Sequence, residues 1–482
     1  MTTQQLWMGG RWEDSAGENV GEVVNPAGLA TVATVQLANP ADMDRAVGLA
    51  RESFEQGEWR ETSAAARAAV LRDAAGLIEK RLPELARTLT SELGCPLWFS
   101  ERAHVPNPVR HLRYYADLVE QRDFDEVRTD GTNTSIVVEE PVGVVGAITP
   151  WNGPLSSPTI KVAPALAAGC SVVVKPATQT PLTVMALGEA LAEAGLPAGV
   201  LSILPAGRDA GEALIAHPEV DKLAFTGSTQ VGKHIMRTAA DRVARVTLEL
   251  GGKSAAIVLP GADVEAMAAA LIPMAFSVNG QLCISQSRVL VPRSMESEVT
   301  DALAAAVQAL VVGDPMAPET FIGPLVSRAQ QETVKGYIDV ARTEGATVAV
   351  GGSAPDELGE GFWVQPTLLT GVTNAMRVAR EEIFGPVMSV ITYDDLDDAV
   401  RIANDSPYGL SGSVWGGDVA EGVAVARRVR TGMVSVNGAP QSWGTPFGGF
   451  KQSGVGREMG PEGLLGYLEK KSIAVPTGSH PA

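Results

Sequence analysis

Between about residues 40 and 122 the apolar positions recur at spacings of three and four. The stretches "ADMDRAVGLARESFEQ", "SAAARAAVLRDAAGLIEKRLPELARTLTSELG" and "VRHLRYYADLVEQ" therefore predict successive amphipathic helices, a scaffold rather than a site. From residue 132 the pattern changes. "TNTSIVVEEPVGVVGAITP" holds β-branched runs broken by Pro141, and "CSVVVKP", "VLSILPAG" and "KLAFTGS" are short apolar strands separated by helical segments such as "LTVMALGEALAEAG". Strand alternating with helix predicts a parallel sheet. After residue 250 the rhythm repeats with "KSAAIVL", "VEAMAAALIPMAFSV", "RVLVP", "ESEVTDALAAAVQAL", "VMSVITY", "DDAVRIANDS" and "GMVSVNG", predicting a second α/β unit. The terminal "EKKSIAVPTGSHPA" carries a strand-like "SIAV" with no local partner. It is expected to pair elsewhere, another subunit included. No internal period of 20–50 residues points to a solenoid.

At 482 residues the chain exceeds what one core holds, so more than one domain is expected. A formal charge of −18 argues against nucleic acid as a partner, because no broad basic surface is available to neutralise phosphates. The N-terminus lacks a basic segment followed by an apolar run, and no stretch of about 18 apolar residues occurs. The chain reads as cytoplasmic, with no membrane partner. Three widely spaced cysteines, Cys95, Cys170 and Cys283, and five scattered histidines give neither a disulfide framework nor a metal-ligand spacing, so no metal is expected.

Packing is the first reading for any cysteine, and it suffices for Cys170 in "AAGCSVVV" and Cys95 in "ELGCPLW". Cys283 in "NGQLCISQSR" differs, since a turn signal precedes it and a strand follows. A thiol there needs a positive field or a base to act as a nucleophile. Glu249 ends the apolar run of "VTLELGGKS" just before a double glycine, where a carboxylate is either a solvated surface group or a base facing a cleft. "FTGSTQVGK" is a strand end, a small-residue turn and a helix start whose first amides can face a pyrophosphate; a plain Ser N-cap explains it equally. Lys175 follows a buried strand, within reach of a ribose or phosphate. In "ITPWNGP", Trp151 supplies an indole wall and Asn152 an amide able to hold an oxyanion.

Together, "PWN", "KPxxxTP", "FTGSTxxG", "LELGGKS", "NGQxC", "EEIFGPV" and "PFGGFKQSGxGRE" resemble the aldehyde dehydrogenase superfamily over nearly the whole chain. The resemblance implies an α/β fold: a Rossmann-like coenzyme domain, an α/β catalytic domain and a small β oligomerisation element. The expected boundaries are 1–119, 140–249 and 452–467 for coenzyme binding, 250–451 for catalysis, and 120–139 with 468–482 for assembly into a homodimer or homotetramer. It also implies oxidation of an aldehyde to a carboxylic acid through a cysteine thiohemiacetal and thioester. Cys283 is then the nucleophile, Asn152 and the Cys283 N–H hold the oxyanion, Glu249 is the base, and Glu458 takes part in proton relay. Because the acyl-transferring relatives usually lack such a glutamate, Glu249 favours hydrolysis. The coenzyme site would comprise Thr149, Pro150, Trp151, Lys175, Thr178, Gly207, Gly211, Phe225, Thr226, Gly227, Ser228, Gly232, Leu250 and Gly251, with Glu382 on the nicotinamide ribose and Phe384 beside the ring.

Two departures from the family pattern matter. Thr178 stands where many members place a ribose-binding glutamate, which leaves NADP acceptable beside NAD, with NAD expected first. Gly153 stands where relatives often have an aromatic residue; with Leu282, Ile284 and Trp443 it implies a roomy apolar substrate pocket for bulky aliphatic, terpenoid or aromatic aldehydes. The absence of Arg or Lys at these positions weighs against carboxylate-bearing semialdehydes. A coenzyme-independent thiol hydrolase or acyl transferase would leave "FTGSTQVG", Lys175 and Glu382 without purpose. A non-catalytic nucleotide-binding relative would not be expected to keep both Cys283 and Glu249.

Overall fold

In the computed structural model, which describes residues 3–476, Asn39 opens the first long helix, Pro40–Gln56, with a reciprocal cap: its side chain accepts from the Asp42 N–H, and the Asp42 carboxylate accepts from the Asn39 N–H. Helices Ala64–Lys80, Leu82–Leu93 and Pro106–Glu120 follow, as the three-and-four spacing predicts, and bury their apolar faces in one large core that also holds Cys95 and Cys170. His104 and His111 are buried among these helices, and burial pulls both down to about 4. Unfolded, they titrate near 6.5. Their stabilisation is therefore complete above about pH 6.5 and is lost as the pH falls through the window toward 4. Thermal melts should show the midpoint dropping across that window, and less so in a variant with both histidines replaced by glutamine.

Two large sheets carry the rest. The first has eight strands in the order Gly454–Val455, Arg245–Glu249, Lys222–Thr226, Val144–Ile148, Ser171–Lys175, Leu201–Ile203, Leu6–Met8, Arg11–Glu13. Its five inner strands are parallel, and antiparallel strands close both edges. The chain winds outward from Val144–Ile148 in one direction, then returns to place Lys222–Thr226 on the other side. That reversal opens a crevice at the carboxyl ends of these two strands, where ligands of open α/β sheets bind. The second sheet has seven strands, in the order Thr347–Val350, Thr367–Thr370, Val387–Tyr393, Arg288–Pro292, Ala255–Val258, Gly412–Trp415, Ser435–Val436, parallel but for the first. The parallel sheets expected from the strand–helix rhythm are thus mixed sheets with antiparallel edges.

The unpartnered "SIAV" finds its place within its own chain. Strand Leu468–Val475 pairs antiparallel along its whole length with Thr134–Pro141, which pairs in turn with Asp125–Thr129. Residues 477–482, the end of the expected assembly element, and residues 1–2 lie outside the described residues. Among the described residues no helix is long and apolar enough to cross a membrane.

Candidate active site

Cys283 is half-buried in the loop between the turn Ser277–Gly280 and the strand Arg288–Pro292. The turn is left-handed at three consecutive residues, Val278, Asn279 and Gly280. A side chain at Gly280 would put its Cβ 2.3 Å from the Gly385 carbonyl oxygen, so only glycine fits. Asn279 locks the turn: its Nδ2 donates to the Gly94 and Pro324 carbonyls at 3.0 and 2.7 Å, and its Oδ1 accepts from the Gly323 N–H at 2.7 Å. The double glycine after Glu249 packs on this loop from the other side, where a Cβ at Gly252 would fall 2.3 Å from the Cys283 carbonyl oxygen.

Asn152, nearly buried, donates from Nδ2 to the Gln281 carbonyl at 2.8 Å, which leaves its second amide hydrogen for a ligand. Glu249 ends the strand Arg245–Glu249 with both carboxylate oxygens buried and without a hydrogen-bond partner. Burial, then the charge of Glu458, pushes its pKa well above the ordinary carboxylate value, against the pull of Lys161 and Arg457. Glu458 is paired with Lys161 Nζ at 2.5 Å, and that ammonium also donates to Thr226 Oγ1 at 2.6 Å. Burial raises the Cys283 thiol, and the charges of Glu382, Glu249 and Glu458 raise it further. The charges that act on the thiol are those of carboxylates, Glu249 among them.

The crevice of the first sheet gathers the remaining residues. Lys175 ends its strand largely buried, its ammonium without a hydrogen-bond or ion-pair partner among the described residues, and burial lowers it to about 8. Gly211 lies under its stem. The Thr149 hydroxyl is buried and unpartnered, and Pro150 follows it into the turn that carries Trp151. Ser228 caps the helix Thr229–Ala240, and Gly207 begins another, Arg208–Ala216, with open space where its Cβ would be. Close packing explains three glycines: a Cβ at Gly227 would meet the Phe225 ring, at Gly232 the Leu250 side chain, and at Gly251 the Glu382 carboxylate. Glu382 accepts from the Gly252 N–H at 3.0 Å, and burial raises it to about 7. Phe384, held at φ 58°, stands edge-on to Trp151 at 5.3 Å. Thr178 is half-exposed with only Gln179 as a side-chain partner, 3.5 Å away.

Beside Ile284 opens a cavity of about 350 Å³ walled by Met274, Met433, Met459, Trp443, Pro446 and Phe447, with Asn107, Gln286 and Gln441 among its polar members. None of the residues that line it is charged. Trp443 meets His111 edge-on at 5.1 Å, and the Arg110 guanidinium lies 5.4 Å from its ring. Leu282 and Gly153 are outside this wall: Leu282 packs on the large core, and the space left by Gly153 is taken by Ser156, whose Oγ would be 2.9 Å from an added Cβ. Met459 holds a backbone conformation, φ 58° and ψ 172°, that costs a non-glycine residue about 1–3 kcal/mol.

The family model described as the aldehyde dehydrogenase family matches residues 12–473. A geranial dehydrogenase from Castellaniella defragrans is 44% identical over 98% of both chains. Among solved structures, an aldehyde dehydrogenase from Mycobacterium tuberculosis complexed with NAD+ superposes with a TM-score of 0.96 at 44% identity, covering 99% of each chain. A cysteine-to-alanine variant of aldehyde dehydrogenase C from Pseudomonas syringae, complexed with NAD+ and octanal, gives 0.95 at 39% identity, covering 98% of this chain and 96% of that one. Matched along its length by the family model and by relatives of equal extent, the chain belongs to the aldehyde dehydrogenase family.

Proposed function

We propose that this aldehyde dehydrogenase oxidises bulky apolar aldehydes, aliphatic, terpenoid or aromatic, to carboxylic acids with NAD, using Cys283 as nucleophile and Glu249 as base. The observation that carries the chemistry is the buried, unpartnered Glu249 carboxylate whose charge acts on the Cys283 thiol. For the substrate class it is the uncharged, largely apolar cavity beside Ile284, in which a substrate carboxylate would have no partner. A relative named for geranial and a structural neighbour solved with octanal bound support the same class.

The residues present fit a dinucleotide. Thr149, Lys175 and the helix start behind Ser228 offer unused donors; Gly207 and Gly211 keep the approach open, and Glu382 and Phe384 stand at the end nearest Cys283. When bound, the oxidised nicotinamide accepts a hydride. The chain's own groups do the rest. Glu249 takes the proton of the Cys283 thiol, and the sulfur adds to the aldehyde carbon. The Asn152 amide and the Cys283 N–H stabilise the oxyanion. Glu458 with Lys161 carries the thiol's proton away from the buried base, and after oxidation the again ionised Glu249 takes a proton from the water that cleaves the thioester, the Cys283 sulfur leaving as thiolate.

By the same reading, residues 1–119, 140–249 and 452–467 form the coenzyme-binding domain and 250–451 the catalytic domain. Residues 120–139 with 468–482 build the contacts of a cytoplasmic homodimer or homotetramer. A second reading, a semialdehyde bearing a carboxylate, draws support from Arg110 stacked on the cavity residue Trp443.

The test is absorbance of the reduced nicotinamide with apolar and carboxylated aldehydes and with NAD and NADP in parallel. Faster turnover of carboxylated aldehydes would overturn the apolar class. Thr178→Glu should lower kcat/KM for NADP relative to NAD by about tenfold or more, since one unscreened like charge beside a phosphate costs on the order of 1–2 kcal/mol. An unchanged ratio would remove Thr178 from coenzyme choice.

A further inference from the structure

The wall of the substrate cavity and the pair Glu458–Lys161 share one piece of backbone. Phe447 and Met459 both line the cavity. Glu458 sits against the first and next to the second: its N–H donates to the Phe447 carbonyl at 2.8 Å, and its carbonyl accepts from the Phe447 N–H at 2.7 Å. Its carboxylate leaves in another direction, to Lys161. The residue after Phe447, Gly448, abuts the base itself; a Cβ there would fall 2.6 Å from Glu249 Oε1. A two-residue bridge therefore has cavity wall on one side and both glutamates on the other.

Met459, which follows Glu458 out of this bridge, is strained. Its φ of 58° and ψ of 172° persist in a non-glycine residue only where the surroundings fix them. The bridge fixes it from one side, and the Gly463 N–H, donating to the Met459 carbonyl at 2.9 Å, from the other. The result is that consecutive side chains enter separate compartments, Glu458 the buried pair and Met459 the cavity.

We propose that Met459 is a positioning residue. An acyl chain that fills the cavity presses on Met459 and Phe447, and so holds the bridge, with Glu458 and the Gly448 contact to Glu249, in the arrangement that hydrolyses the thioester. Long apolar acyl groups are thus selected at hydrolysis as well as at binding. This rests on the assignment of Cys283 and Glu249 above.

The test needs no coenzyme. With p-nitrophenyl esters from acetyl to octanoyl, the Cys283 sulfur forms the S-acyl bond as p-nitrophenolate leaves, and water then yields the free acid and the thiol. The burst of nitrophenolate reports acylation, and the slower phase reports hydrolysis. In the wild type the octanoyl enzyme should hydrolyse faster than the acetyl enzyme. Met459→Ala should remove about tenfold of that advantage, within the loss that a small displacement of a catalytic group produces, and shift the pH profile of octanoyl hydrolysis. Met459→Gly, which also lacks the backbone strain, should do the same. A raised KM for the long ester with unchanged hydrolysis rates and pH profile would mean that Met459 only lines the cavity, and would overturn the proposal. Equal hydrolysis of both acyl groups in the wild type would do so too. With no burst from any ester, the failure lies in the assignment of Cys283, and the proposal falls with it.

Discussion

Cys283→Ala is expected to leave NAD affinity unchanged and to lower aldehyde turnover by a factor on the order of 10⁴ to 10⁶, the scale on which removal of a nucleophile acts. The loop should keep its shape, because what pins it is elsewhere. Asn279 is tied to Gly94, Pro324 and Gly323, and Asn152 to the carbonyl of Gln281; none of these contacts involves the sulfur. A thermal midpoint close to the wild type, coenzyme binding by calorimetry and absent acid production would together establish the role. Substantial turnover in the alanine variant would take Cys283 out of it.

Glu249→Gln is expected to slow release of the acyl group by about 10²–10⁴-fold, the usual contribution of a positioned general base, and to slow the first-turnover burst of reduced coenzyme less, so that a burst survives. The pH dependence gives a second handle. The Glu249 carboxyl is held above its ordinary pKa by burial and by the Glu458 charge, and only its ionised form can take a proton. Hydrolysis should therefore rise with pH through a midpoint above the normal carboxylate range, and that limb should vanish in the glutamine variant. Loss of the burst as well would make formation of the thiolate, and not hydrolysis, the step that depends most on Glu249.

The residues proposed to carry the chemistry are legible in the sequence because each stands at a strand end or a tight turn, where a local pattern marks the position. Glu249 before its double glycine and Cys283 after "NGQ" are such cases, and the structure brings them together. The cavity was far less legible. Its wall draws on Asn107, Met274, Ile284, Met433, Trp443 and Met459, from three separate stretches of the chain that share no periodicity, so only tertiary packing assembles them. At Gly153 the space a side chain would need is taken locally, by Ser156, whose Oγ would lie 2.9 Å from an added Cβ. Lys161 could have been found: it is the one charge in the apolar helix Ser156–Ala168, and a lone buried ammonium needs a carboxylate partner. In the first sheet the antiparallel additions Leu6–Met8 and Gly454–Val455 are short segments whose partners, Leu201–Ile203 and Arg245–Glu249, lie far off in sequence.

The pairing of Leu468–Val475 with Thr134–Pro141 also sets a schedule for synthesis. A ribosome adding 5–20 residues per second reaches the later strand roughly 15–65 s after the earlier one. Through that interval the nascent chain carries Thr134–Pro141 with one edge uncovered, and the edge strand Gly454–Val455 of the first sheet is missing as well. An open strand edge is a template for any passing chain. The growing polypeptide is therefore most exposed to misassociation on polysomes before Leu468–Val475 emerges, and shielding by a chaperone would matter most there.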